Sequence, residues 1–332
     1  MRLARTINVP LIAVGICGLV AATQARINAS LGERIGSSLI AALVSFGVGF
    51  LLLFVSVTVR ASARAKLRKL RHTGVRWELF SAGLIGATFV TTSVYATQQV
   101  GVAVFIVVAV TGQVVGGLIV DQTSLSAAGK KPITAVRVAG AALASVGAAI
   151  TQLGNPLGDL RLLPILAVFA VSTLLPLQVA MNARIGRACG SSQVAALVSF
   201  AVGTTGLVAL AIPVVMSGSG SLNAFPTEPW LYLGGLFGAI FITGLAWAGS
   251  SIDVLRLSLL FIGGQLVGGL TADAFIPDGP GISVFVVLGA SITLAAVGVA
   301  GRGDRRNPNA AKGCSNEHVS HHQPLPTPSR YP

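Results

Sequence analysis

Charge is what this chain has least of. Only 10% of its 332 residues are Asp, Glu, Lys or Arg, against 53% hydrophobic types. A water-soluble domain carries about 25% charged residues, so this chain cannot cover a water-facing surface in the ordinary way. A mean hydropathy of +0.80 points instead to a polytopic membrane protein. Cysteine is scarce too. Cys17, Cys189 and Cys314 lie in an apolar run, a short loop and a polar tail, at no disulfide or metal-ligand spacing. No Asp, Glu or His falls in the middle of an apolar run, and His72, His318, His321 and His322 all lie outside such runs. A buried carboxylate proton relay is therefore not visible. Nor is an enzyme: there is no His-Glu-x-x-His, no pair of aspartates within a run, and no nucleophile beside a base. The phosphate loop of a nucleotide-driven pump and the charged ring or filter repeat of a channel are missing as well. The sequence calls for no catalytic residue, no metal and no cofactor.

What is present is long apolar sequence. A helix needs about 20 apolar residues to span a bilayer. Ten such runs lie near 7–27, 38–59, 77–97, 102–121, 132–152, 162–181, 193–216, 230–249, 254–273 and 281–301. The first, with Arg2 and Arg5 before it, has the outline of a signal peptide. It reads as a span because its repeat partner, 162–181, lies mid-chain. The polar residues 305–332 read as a disordered cytoplasmic tail.

A net charge of +13 on a soluble protein would suggest nucleic acid. Here the basic residues fall in the gaps between runs, and no nucleic-acid partner is expected. With the N-terminus inside, 19 Lys and Arg lie on the cytoplasmic side and 3 (Arg26, Arg34, Arg161) on the other. That split sets both termini in the cytoplasm. Arg137 sits inside the fifth run and is expected to snorkel to the surface. The basic segment 60–76 reads as a loop contacting anionic lipid and anchoring the topology.

The chain also repeats itself. Residues 23–50 match 177–204 at 15 of 28 positions, at a constant offset of 154. Residues 83–121 match 235–273 at 15 of 39 positions, at an offset of 152. Glutamine, asparagine and aspartate recur in register, which bias toward Ala, Val and Gly would not produce. Each copy holds five spans, an odd number, so the second must sit upside down relative to the first. The expected fold is an all-α membrane protein of ten transmembrane helices in two inverted five-helix repeats, 1–152 and 153–304. Inverted repeats are characteristic of secondary transporters that work by rocking one half against the other.

The repeated Gln-x-x-x-Asn, Gly-Ser-Ser and Ser-Phe-x-x-Gly elements, with the later Gly-Gln and Asp positions, resemble the YdcZ-type inner-membrane exporters of the drug/metabolite transporter superfamily. The resemblance covers about 1–304 and implies a fused ten-span exporter of a small solute in the plasma (inner) membrane. The alternatives are a lipid translocator or a membrane protein with a structural or interaction role only.

Candidate solute-binding residues are the amides that recur. Gln113 and Gln265 lie halfway along their spans, within Gly112-x-x-x-Gly116 and Gly264-x-x-x-Gly268. They are expected to meet, or to share a cavity, near the midplane, with the glycines letting spans four and nine cross closely. Gln24 with Asn28, and Gln178 with Asn182, are four residues apart and share a helix face. They read as two related gates, one toward each surface. The competing reading for all six is interhelical bonding without a solute. Ser45, Ser199, Thr91 and Thr243 are candidates for the same path, or for bonds to the carbonyl one turn back. Tyr95 and Trp247 are candidates for cavity lining or for the interfacial belt.

Overall fold

The computed structural model describes residues 2–126, 129–151, 153, 161–216, 223–275 and 284–303. The tail expected over 305–332 lies outside them. Among the described residues every regular element is helical. The first half contains α1 (Arg2–Ile35), α2 (Ser38–Val59), α3 (Ala61–Leu70), α4 (Ala82–Asp121) and α5 (Ala135–Thr151). The second contains α6 (Leu162–Cys189), α7 (Ser192–Met216), α8 (Gly234–Ala248), α9 (Val254–Phe275) and α10 (Val284–Gly303). Six stretches are long and apolar enough to cross a bilayer: Val9–Ile35, Ser38–Val59, Trp77–Ala96, Leu162–Cys189, Ser192–Met216 and Pro229–Ala248. Phe105–Asp121, Ala135–Ile150 and Val254–Gly268 are apolar but shorter.

Two elements differ from the sequence reading. The third and fourth apolar runs form one helical run, α4. A straight helix would hold Phe89 and Phe105 about 24 Å apart, yet their ring centroids are 6.3 Å apart. Ala96 packs with Ala109 in one cluster. The run therefore doubles back on itself as two antiparallel arms. In the second half the corresponding bend is a non-helical turn over 249–253, between α8 and α9. The segment 60–76 is also more than a loop. Within it α3 buries Ala63 and Leu70 against the core while Arg60, Arg64, Lys66, Arg68 and Lys69 stay exposed.

The Gly-Ser-Ser repeat makes the same corner twice. Gly36 and Gly190 both have φ of 76°, a left-handed conformation that glycine adopts without a Cβ clash. Each ends a long helix as its C-terminal cap residue. The serine that follows starts the next helix. Ser37 Oγ accepts from the Ile40 amide at 3.3 Å and Ser191 Oγ from the Val194 amide at 3.3 Å.

The halves interleave. α1 packs on α8 and α9, α6 packs on both arms of α4, and α5 packs on α10. The contacts are reciprocal at the offsets of the repeat. Gly112 and Gly116 take the backbone of Phe169 and Thr173, while Gly264 and Gly268 take that of Gly15 and Leu19. Gly83 lies against Ser199 and Gly203, and Gly235 against Ser45 and Gly49. α2 and α7 run antiparallel. Gln193 donates to Ser56 at 2.6 Å at one end. The rings of Phe46 and Phe200 meet at 5.0 Å nearer the centre. Small residues at these crossings let backbones approach, which in lipid drives helix association through dispersion and close packing.

The two ends of the bundle differ in charge. Arg184 donates to the Ser124 carbonyl and Arg187 to the Gly249 carbonyl. These bonds place 184–187, the α4–α5 connection and the α8–α9 turn together, on the side where α3 packs against α6. At the opposite end Arg34 pairs with Glu228, and Arg161 donates to Gln99 at 2.5 Å.

Candidate functional site

Where the halves interleave they form a partly open cavity of about 130 Å³, lined from α1, α2, both arms of α4, α6, α7, α8 and α9. All six recurring amides line it: Gln24, Asn28, Gln113, Gln178, Asn182 and Gln265. The helical period explains how. Gln24 and Asn28 stand one above the other on α1, and Gln178 and Asn182 do so on α6. Gln113 follows Gly112 by one residue, about 100° around the helix. Gly112 therefore faces α6 while Gln113 turns inward. Five of the six are buried, and Gln265 is partly so.

Gln24/Asn28 and Gln178/Asn182 line one cavity together with the central pair. Two expectations change here. Gln113 and Gln265 share that cavity, but the glycines beside them do not bring α4 and α9 together. They dock α6 on α4 and α1 on α9. The α4–α9 approach is made by Gly117 against Leu255. Ser45 and Ser199 are buried but are not among the lining residues. Ser199 stands behind Asn182 and accepts from its Nδ2 at 3.4 Å. Ser45 Oγ makes no such bond to Asn28.

The remaining candidates lie off the cavity. Thr91 donates to the Ala87 carbonyl at 3.0 Å, the bond back along its own helix. The Thr243 hydroxyl is buried without a partner. Tyr95 and Trp247 are exposed on the outside of the bundle and fit the belt reading.

Among the described residues none that lines the site is ionisable, and their polarity comes from amide dipoles and the hydroxyls of Ser93 and Ser258. Asn28 Oδ1, Asn182 Oδ1 and Gln178 Nε2 carry no hydrogen bond. Two glycines make room for the amide heads: a methyl at Gly86 would sit 2.5 Å from Gln178 Nε2, and one at Gly238 2.6 Å from Gln24 Nε2. The apolar part of the wall combines aliphatic side chains with six phenylalanines: Phe46, Phe89, Phe105, Phe200, Phe241 and Phe261. The amides alone had marked the site in the sequence. Yet Phe46/Phe200 and Phe89/Phe241 recur at the same offsets, and that signal was available.

The family model described as "Putative inner membrane exporter, YdcZ" matches residues 9–150 and again 163–300. The chain belongs to the YdcZ family. Its two matched regions coincide with the two halves of the repeat. The family is described as one of inner-membrane exporters, not of enzymes, and with its apolar helices the YdcZ-family chain is a multi-pass inner-membrane protein. No curated protein matches it. A solved chain described only as "Crystal structure of protein" has the same fold, with a TM-score of 0.66 at 14% identity. The match covers 89% of the YdcZ-family chain and 98% of the solved one.

In this YdcZ-family protein the buried charges lie away from the cavity, at the basic end. Asp121, at the end of α4, is fully buried. It accepts from Ser126 Oγ at 2.8 Å, from the Val254 and Leu255 amides at 2.8 and 3.0 Å, and from the Arg137 guanidinium. One carboxylate thus caps the first turn of α9 and neutralises an arginine on α5. Asp253 stands 3.9 Å from Arg137 and 3.5 Å from Lys131 Nζ, and accepts from the Arg256 amide at 3.0 Å. Arg137 is 5% exposed and turns inward, not out to the surface. The two carboxylates within reach are the reason snorkelling does not occur. The Asp273 side chain, its repeat counterpart to Asp121, lies outside the described residues.

Proposed function

We propose that this chain is a secondary transporter that exports a small solute across the inner membrane by alternating access. Its working parts are two inverted five-span halves, 1–152 and 153–304, with both termini in the cytoplasm. The observation that carries the reading is the meeting of three repeat-related amide pairs around one cavity between the halves. An amide turned toward lipid would lose hydrogen bonds worth several kcal/mol, so their convergence favours a polar interior path. The antiparallel crossing of α2 and α7 supports inversion, because a two-fold axis relating antiparallel spans runs in the membrane plane. The gathering of basic segments at one end supports the orientation. On this reading Gln113, Gln265, Gln24, Asn28, Gln178 and Asn182 contact the solute. Ser199 holds Asn182, and Ser45 is a further polar group behind the wall.

The test uses oriented vesicles containing the purified chain, loaded with a small-molecule extract of the cell and assayed with and without a proton gradient. The parent should move at least one solute across the membrane. The Gln113→Leu/Gln265→Leu double variant should not, while inserting and folding at near-parent yield. Unimpaired transport by the double variant rejects the site.

A further inference from the structure

We propose that the cavity selects an uncharged solute about the size of one six-membered ring, flat, with hydrogen-bond donors and acceptors around its edge. That is the chemistry of a cyclic amide or imide. The proposal rests on the reading of the cavity as the transport site and adds the class of solute to it.

Charge comes first. Among the described residues no ionisable side chain lines the cavity. An ion entering it would give up its hydration without meeting a counter-charge, a loss that amide dipoles do not restore. The buried charges nearest to the cavity, Asp121, Asp253, Arg137 and Lys131, are engaged with one another. An uncharged solute meets no such barrier.

Size and shape come next. A volume of about 130 Å³ is close to the roughly 150 Å³ cavity that takes up benzene. The six lining phenylalanines stand as three ring pairs: Phe46 with Phe200, Phe89 with Phe105 and Phe241 with Phe261. Their centroids are 5.0, 6.3 and 6.0 Å apart and each pair is tilted. Such walls offer faces and edges to a planar guest.

The polar wall then fixes the edge chemistry. A primary amide presents a donor and an acceptor side by side. A ring amide, with N–H next to C=O, is its complement through two parallel hydrogen bonds. Six such amides line the cavity, on Gln24, Asn28, Gln113, Gln178, Asn182 and Gln265. A solute offering only acceptors, or only donors, leaves part of that set unmatched.

The experiment uses the full chain in detergent for equilibrium binding and in proteoliposomes for counterflow, with radiolabelled uracil as the probe. Orotate supplies the same ring with a negative charge, 5-(aminomethyl)uracil the same ring with a positive charge, and myo-inositol a neutral ring that is not flat. Uracil should bind saturably and exchange, with each of the other three at least tenfold weaker. Gln178→Glu should weaken uracil and shift preference toward the aminomethyl compound, a change of specificity that loss of folded protein cannot mimic. Orotate, the cation or myo-inositol binding as well as uracil overturns the solute class. Uracil binding without counterflow, where no other compound exchanges, overturns transport and leaves the class standing. Exchange of another compound but not uracil overturns the class and leaves transport standing. No binding by any of the four overturns the proposal.

Discussion

Removing the Asp121 carboxylate should be among the most destabilising single changes in this protein, and more so than removing its arginine. In Asp121→Ala the Arg137 guanidinium stays buried with only Asp253 nearby, at 3.9 Å. Breaking a buried ion pair from one side costs about 3–5 kcal/mol. The amides of Val254 and Leu255 lose their acceptor at the same time, and loss of a helix cap adds about 0.5–2 kcal/mol. The terms overlap because Asp253 offsets part of the charge, so the expected total is about 4 kcal/mol. Arg137→Met is different. Asp121 keeps three donors, from Ser126 and the two α9 amides, so the cost should be smaller by the cap contribution, about 0.5–2 kcal/mol. Both variants can be followed by equilibrium unfolding in mixed micelles, read by near-ultraviolet circular dichroism. Adding Arg137→Met to Asp121→Ala should cost less than the two changes summed, because the second removes the charge the first left stranded. Equal costs for the two single variants would refute the assignment of Asp121 as a cap as well as a counter-charge. A cost for Asp121→Ala below about 0.5 kcal/mol would refute the buried cluster itself.

Other changes separate site from scaffold. Gly86→Ala and Gly238→Ala push on the flexible heads of Gln178 and Gln24, so transport should fall about tenfold while thermal stability changes by less than about 1 kcal/mol. Gly83→Ala and Gly264→Ala push on the backbone at Ser199 and Gly15 instead. They should lower stability by about 1–3 kcal/mol, with transport falling in proportion to folded protein. A double-mutant cycle of Phe46→Leu and Phe200→Leu should return about 0.5–1.5 kcal/mol of coupling. For the topology, Arg64→Cys and Asn223→Cys in a cysteine-free background should label from opposite sides of the membrane. Equal labelling of both from outside the cell contradicts the orientation.

The amides were legible because a glutamine or asparagine in an apolar run has few reasons to be there, and each recurred in register. The order of the helices was legible for the same reason that hydropathy works at all: the bilayer sets the length of a span. What the sequence did not show was partnership across the chain. The Gly112/Gly116 pattern marks a close approach but not by which helix, since any backbone that fits will do. α6 is the one that fits. Arg137 looked like a snorkelling arginine because its partners, Asp121 and Asp253, are 16 and 116 residues away in the chain. The reversal within α4 was legible as two apolar runs, 77–97 and 102–121, but the unbroken helical backbone between them was not, because the sequence there carries no mark that separates a helical bend from a loop.

The interleaving of the two halves bears on how the protein is made. α1 ends at Ile35, and its packing partners α8 and α9 begin at Gly234 and Val254. About 200 residues separate them, which at about 5–20 residues per second is roughly 10–40 s of synthesis. Throughout that interval Gln24 and Asn28 are already in the membrane, while Gly238 and Gly234, the residues they rest against, are not yet in the chain. The amides must be shielded meanwhile by the insertion machinery or by provisional helix contacts. The second half meets no such delay, because α4 is complete before α6 begins. Assembly is therefore lopsided in time although the amide pairs recur in both halves of the sequence. The N-terminal half is the one whose amide substitutions should relieve or worsen biogenesis independently of transport.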